Sequence, residues 1–144
     1  MTLDVAEIGH GHARSGRTIL LVHRIRFQSE VDSSDLYQGF GGVQLLIDVD
    51  RDRGYERAIR FVLNNDGSMA AEAYAPGPRV VGYANWWRPD ARTVKIAFPK
   101  SLLKRDLRVY RWKVLTAQTA PCEASEETSA DGCVDSTRTL THRL

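Results

Sequence analysis

Three places in this sequence gather side chains whose types and spacing could do chemistry. The first is Asp48-Val49-Asp50-Arg51-Asp52-Arg53-Gly54. On a strand Asp48 and Asp50 share a face, and Asp52 follows in the turn, so hard oxygen donors converge as a structural calcium ion would need. The glycine falls one place later than in an EF-hand loop, and the twelfth position is Ile59 where a bidentate glutamate belongs, so this is no EF-hand. Arg51, Arg53 and Arg57 also offset the three aspartates and Glu56. The competing reading is therefore a solvated hairpin laced with ion pairs.

The second place is Trp86-Trp87. Neighbours on a strand point to opposite sides, so only one of the two indoles can face a core. Val80, Gly82 and Ala84 share a side with Trp86, and small apolar residues suit an interior. Tyr83, Asn85 and Trp87 share the other side. They make an aromatic and amide stripe able to stack a sugar ring and hydrogen-bond its hydroxyls. The bland alternative is that the stripe packs under a loop or another sheet.

The third is a set of histidines. His10 and His12 share a strand face, and a two-residue turn at Ser15-Gly16 places His23 on the same face of the partner strand, opposite Ile8. Three imidazoles there could approach a metal. Leu21 and Ile25 line that face too, which equally suits histidines at a core edge. No serine sits in a nucleophile elbow, no glycine-rich phosphate loop occurs, and Phe40-Gly41-Gly42 is only a flexible lead into a strand. Nothing selects a carboxylate pair for glycoside hydrolysis, so a small hydrolase is the weakest functional expectation.

Twenty basic against 18 acidic residues leave a net charge of +2, too little to suggest a nucleic-acid ligand. No apolar run is long enough for a membrane span. Cys122 and Cys133 bracket a polar stretch with Glu123, Glu126, Glu127 and Asp131 and no base. Their spacing fits neither a zinc site nor a redox motif, and a disulfide across the loop would contribute roughly 3 kcal/mol through the unfolded chain. The alternative is two separate thiols. A disulfide implies an extracytoplasmic protein. Met1-Thr2-Leu3-Asp4-Val5 has no signal-peptide character, so export carries the expectation that Met1 is a start added to a mature sequence.

The elements that must position these groups read as strands throughout. Arg17 to Phe27 alternates, with residues 4–14 as its partner; Val43, Leu45, Ile47 and Val49 form the next alternating run, then Tyr55, Ile59, Phe61 and Leu63. Asn65-Asp66-Gly67 turns the chain into Ser68 to Ala75. Pro76-Gly77-Pro78 and Pro89-Asp90 bound the strand Arg79 to Trp87, Arg92 to Phe98 follows, and Ser101-Leu102-Leu103 suits one turn of helix. Tyr110, Trp112 and Val114 mark the core face of a last long strand. Seven or eight such strands in 144 residues predict one all-β domain, a two-sheet antiparallel β-sandwich of jelly-roll type, with residues 117–144 as a disulfide-clipped segment. A closed barrel is the main alternative.

The order of the segments Asp48 to Gly54, Arg92 to Pro99, Tyr110-Arg111-Trp112-Lys113-Val114, and Cys122 to Cys133 with Asp135 beyond it resembles secreted bacterial β-sandwich domains related to family-nine carbohydrate-binding modules and DOMON-like folds. The resemblance implies a non-catalytic module that binds sugars or other ligands, in some members with structural calcium. It does not assign sugar contacts residue by residue. The expectation is thus an accessory carbohydrate-binding module needing no cofactor beyond a possible calcium ion. A structural or adaptor domain that contacts a neighbouring domain or partner protein is the alternative.

Overall fold

Alternating strands become hairpins wherever a turn residue permits. The computed structural model describes residues 3–37, 42–50, 54–118 and 133–144. The chain begins with β1 (Val5–Ser15) and β2 (Thr18–Phe27), followed by a single helical turn, α1 (Ser33–Leu36). A run of antiparallel strands comes next: β3 (Gly42–Asp48), β4 (Arg57–Leu63), β5 (Met69–Ala75), β6 (Arg79–Asp90) and β7 (Thr93–Pro99). A 3-10 turn at Lys100–Leu102 leads to β8 (Val109–Gln118), β9 (Cys133–Ser136) and β10 (Leu140–Arg143).

These strands form one antiparallel sheet in the order β1-β2-β7-β6-β5-β4-β3-β8-β10, with β9 paired to β8 off that path. The sheet nearly closes into a barrel. The meander β3 to β7 makes the middle of the wall, and the strands before and after it extend the two ends until β1 and β10 face each other. Strand β6 is the corner: residues up to Ala84 pair with β5, while Asn85 onward pair with β7. Among the described residues no helix is long and apolar enough to cross a membrane.

The core follows the alternation. Leu21, Ile25 and Phe27 of β2, Leu45 and Ile47 of β3, Ile59 and Phe61 of β4, Val94, Ile96 and Phe98 of β7, and Tyr110, Trp112 and Val114 of β8 are all buried. Strand β5 buries only the small Ala71, Ala73 and Ala75, with Met69 packed partly buried at its start. These small side chains leave room beside Phe61, and the Trp86 ring meets Phe61 edge-on at 5.2 Å.

The structure revises several boundaries. The first hairpin turns at Gly16-Arg17, with Gly16 at φ 61 and Ser15 paired to Thr18, which sets His10 opposite His23. Strand β6 does not stop before Pro89. It runs to Asp90 because the register shift between Trp87 and Asp90 absorbs the proline's missing donor. Arg88 secures that end: its guanidinium donates to the carbonyls of Val31, Ala91 and Thr93 and to Ser33 Oγ, over 2.7 to 3.2 Å. The C-terminal residues include a wall strand. Strand β10 is part of the barrel wall, its pairs running from Leu140 with Trp112 to Arg143 with Val109. Cys122 lies outside the described residues, and of Cys133 only the backbone, in β9, is described.

Candidate functional site

On β6 the parity expected for the two tryptophans is realised. Trp86 turns inward and its indole Nε1 donates to the Met69 carbonyl at 3.3 Å. On the opposite side Tyr83 is 63% exposed, Trp87 is 42% exposed and Asn85 is also exposed. Strand register gives these residues their neighbours. Trp87 pairs with Lys95, which pairs with Arg24 and then Gly9; Asn85 pairs with Ala97, then Val22 and Gly11. Tyr83 pairs on its other side with Glu72, then Arg60 and Gln44. Paired residues share a face, so the outer surface carries two polar rows that diverge from one exposed aromatic strip.

Each row ends at a groove. Toward β1, a shallow groove of about 420 Å³ runs over Gly9 and Gly11 beside Val22, Arg24 and Lys95. Arg24 is held there by Glu7 at 2.6 Å, an exposed pair worth little in stability. Toward β3, a groove of about 270 Å³ lies between Tyr55 and Tyr74. The Arg60 guanidinium sits 4.1 Å over the Tyr74 ring and the Lys113 ammonium 5.3 Å over the Tyr55 ring. Tyr74 donates its hydroxyl to Glu72. Partial burial, then that bond to a carboxylate, raises the phenol's pKa and keeps it a donor.

All four histidines of the chain meet where β1 faces β10. His10 and His142 stack with ring centroids 4.0 Å apart, and His12 Nδ1 lies 3.1 Å from His142 Nε2. His142 Nδ1 is 2.7 Å from the Tyr110 hydroxyl, which is also 2.7 Å from His23 Nε2. Trp112 Nε1 donates to His10 Nδ1 at 2.8 Å. Tyr110 has one proton for two imidazoles, so one ring accepts it and the other donates to the phenolic oxygen. These contacts are all met with every ring neutral; the buried His23 Nδ1 lies outside them.

Burial enforces that neutrality. His23 is fully buried, and desolvation first, then the charges that His142 and His10 would carry, push it down to about 3; the Ile96 backbone works weakly the other way. His142, 3% exposed, is pushed down to about 4 by desolvation, then by His10 and His12. His10 is lowered by the same two causes, burial and then His12. Desolvation raises the Tyr110 phenol well above its usual range.

The structure thus brings His10, His12 and His23 to one seam and adds His142 to them. It does not arrange them around an ion: the nitrogens of His23 and His10 that meet the cluster are committed to Tyr110 and Trp112. Among the described residues no three His, Cys, Asp or Glu side chains are grouped to hold a metal ion. His142 was beyond the reach of sequence reasoning, because no local pattern ties the penultimate strand residues to β1.

The aspartate segment is taken up differently from a converging carboxylate pair. Asp48 is buried and accepts from Arg111 Nη2 at 2.6 Å, while its Oδ1 accepts the Asp50 backbone N–H at 3.1 Å. Asp50 is exposed, and Glu56 accepts the Val49 N–H at 2.9 Å. The Asp48 side chain therefore caps its own strand end and neutralises Arg111. Asp52 lies outside the described residues. Comparison with known proteins adds no kinship to this geometry: no family model, no curated protein and no solved structure matches the chain.

Proposed function

We propose that the protein is a non-catalytic binding module that holds carbohydrate on the outer face of β6, with Tyr83, Asn85 and Trp87 as the contact row. The observation that carries this reading is two large rings left uncovered, on the same side of one rigid strand, with an amide between them. Isolated exposed apolar residues are ordinary, but an aligned aromatic and amide strip is what ring stacking with directional hydrogen bonding requires. The flanking Lys95 and Glu72 supply a donor and an acceptor at its edges.

The body that presents the strip is read as a flattened barrel, with β1-β2-β7 and β5-β4-β3-β8-β10 facing each other as the walls of a sandwich on either side of the corner strand. The double pairing of β6 supports that shape. A disulfide between Cys122 and Cys133 and an extracytoplasmic setting belong to the same proposal. Calcium is not required by it, since Arg111 already occupies the Asp48 carboxylate.

The test is affinity electrophoresis through gels containing xylan, mixed-linkage glucan, glycogen or soluble chitosan. The wild-type protein is expected to be retarded in at least one gel and Trp87→Ala to migrate freely there. Equal migration of the two proteins in every gel refutes the reading.

A further inference from the structure

We infer that the groove between Tyr55 and Tyr74 is a second saccharide subsite, taking a pyranose unit of the same chain that stacks on Tyr83 and Trp87. This rests on the carbohydrate reading above and extends it from a contact row to an oligosaccharide path. Four observations converge on it.

The groove is concave, about 270 Å³, with Ala58 between its two tyrosines and the Pro76-Gly77-Pro78 turn closing one end. A small residue on the strand there leaves a slot where a larger side chain would fill it. The polar side chains that line it are planar and of both kinds: Gln44 and Arg60 donate and Gln44 also accepts, with Glu72 beyond them on the Tyr74 hydroxyl. A pyranose presents adjacent hydroxyls that each donate and accept, so such a mixed set suits it. The groups are also held in place before any ligand arrives, Arg60 over the Tyr74 ring and the Tyr74 hydroxyl on Glu72, so little ordering cost remains to be met on binding.

Position supplies the fourth argument. Gln44, Arg60, Glu72 and Tyr83 are successive partners across β3, β4, β5 and β6 on one face. With strands about 4.8 Å apart, Gln44 lies roughly 14 Å from Tyr83, room for more than one sugar ring across the strands. The groove is therefore continuous with the exposed strip through Glu72, and a ligand long enough to reach both gains contacts that a short one lacks.

The experiment is isothermal titration of the full chain with cellohexaose, xylohexaose, laminarihexaose, maltohexaose and chitohexaose, and with the matching disaccharides. The wild type should bind a hexasaccharide about tenfold more tightly than its disaccharide. Trp87→Ala should lose both. Tyr74→Ala, Tyr55→Ala and Arg60→Gln should each bind the disaccharide as wild type does while losing most of the hexasaccharide's advantage. Melting curves show whether Tyr74→Ala is folded; where it is not, Tyr55→Ala and Arg60→Gln carry the test. Groove variants that bind the hexasaccharide like wild type overturn the inference and leave the contact row standing. So does a wild type that binds both lengths equally, or groove variants that weaken both lengths alike. A wild type that binds none of the hexasaccharides removes the inference and the carbohydrate reading together.

Discussion

Acid should open this barrel, and the structure says over which pH range. His23 and His142 are essentially unexposed, and burial holds their pKa values near 3 and near 4 against 6.5 for a free imidazole. Above pH 6.5 the rings are neutral whether the chain is folded or not, and their contribution is fully present. As pH falls below 6.5 the unfolded chain takes up two protons that the folded chain refuses. Each such proton costs the native state about 1.4 kcal/mol per pH unit, so by pH 5 the loss is about 4 kcal/mol. The loss continues until pH reaches the folded values and then levels off. Against a typical total of about 5–15 kcal/mol, this amounts to a large fraction of the stability.

Among the described residues no carboxylate bonds to the cluster to compensate: His10 and His12 of β1, His23 of β2, Tyr110 of β8 and His142 of β10 are the titratable groups that meet there. The assay is a thermal melt at intervals from pH 8 to pH 5, followed by fluorescence of Trp112, which packs edge-on to both His10 and His23. A fall of about 10 °C or more is expected between pH 7 and pH 5. His142→Gln keeps a polar group without a titrating ring, so its stability should decline with a slope shallower by about one proton. A wild-type midpoint unchanged over that interval, or a variant as steep as the wild type, would refute the assignment of the slope to this seam. The window ends at pH 5 because Asp90, held low by bonds from the Arg92 backbone and then Thr93, and Asp66, held low by Ser68, gain protons only below it.

Two other substitutions probe single anchors. Arg88→Ala removes four hydrogen bonds and strands the carbonyl of Val31, while that of Ala91 keeps the Val31 N–H, so a loss of about 2–3 kcal/mol in urea unfolding is expected, with Arg88→Lys recovering only part of it. Asp48→Asn should cost about 1–3 kcal/mol by leaving the Arg111 guanidinium without its carboxylate. Because Arg111 does the neutralising, a melt with chelator and one with millimolar calcium should coincide; a calcium-dependent rise in midpoint would show that an ion binds the native state after all.

The parts of this protein that could be read from sequence are those whose information is local. The inward and outward sides of β6 follow from two adjacent tryptophans and the small residues beside one of them. Trp112 as core follows from Tyr110 and Val114 on either side. The turn at Asn65-Asp66-Gly67 follows from its own residues, and the Asp66 carboxylate accepts the Ser68 N–H there as such turns require. What escaped was set by partners far along the chain. A one-residue difference in the first turn decides whether His23 faces Ile8 or His10, and both options keep the same face. Arg111 pairs with the Asp48 carboxylate, and nothing near Asp48 announces it. Pro89 reads as a breaker until the irregular pairing of β6 with β7 is known. His142 looked like part of a tail because β10 is too short to signal itself by alternation.

The placement of the seam also bears on how binding and stability are coupled. Along the sheet, β6 is separated from β1 by β7 and β2, and from β10 by β5, β4, β3 and β8. The contact row itself therefore sits around the wall from the histidines; of the two grooves it feeds, the one between Tyr55 and Tyr74 is lined by none of them, while the one over Gly9 and Gly11 is lined by His10 and His12. At the seam, by contrast, the contacts between β1 and β10 are made by imidazoles, which a proton can disrupt; a backbone ladder would not respond to pH in this range. Protonation thus acts on the closure of the barrel before it acts on the face of β6. Ligand affinity should stay flat down the pH scale until the melting midpoint approaches the assay temperature, and then fall with the folded fraction. An affinity that declines while the protein is still fully folded would mean that the histidines act on the binding face directly, and the two sites would have to be treated as one.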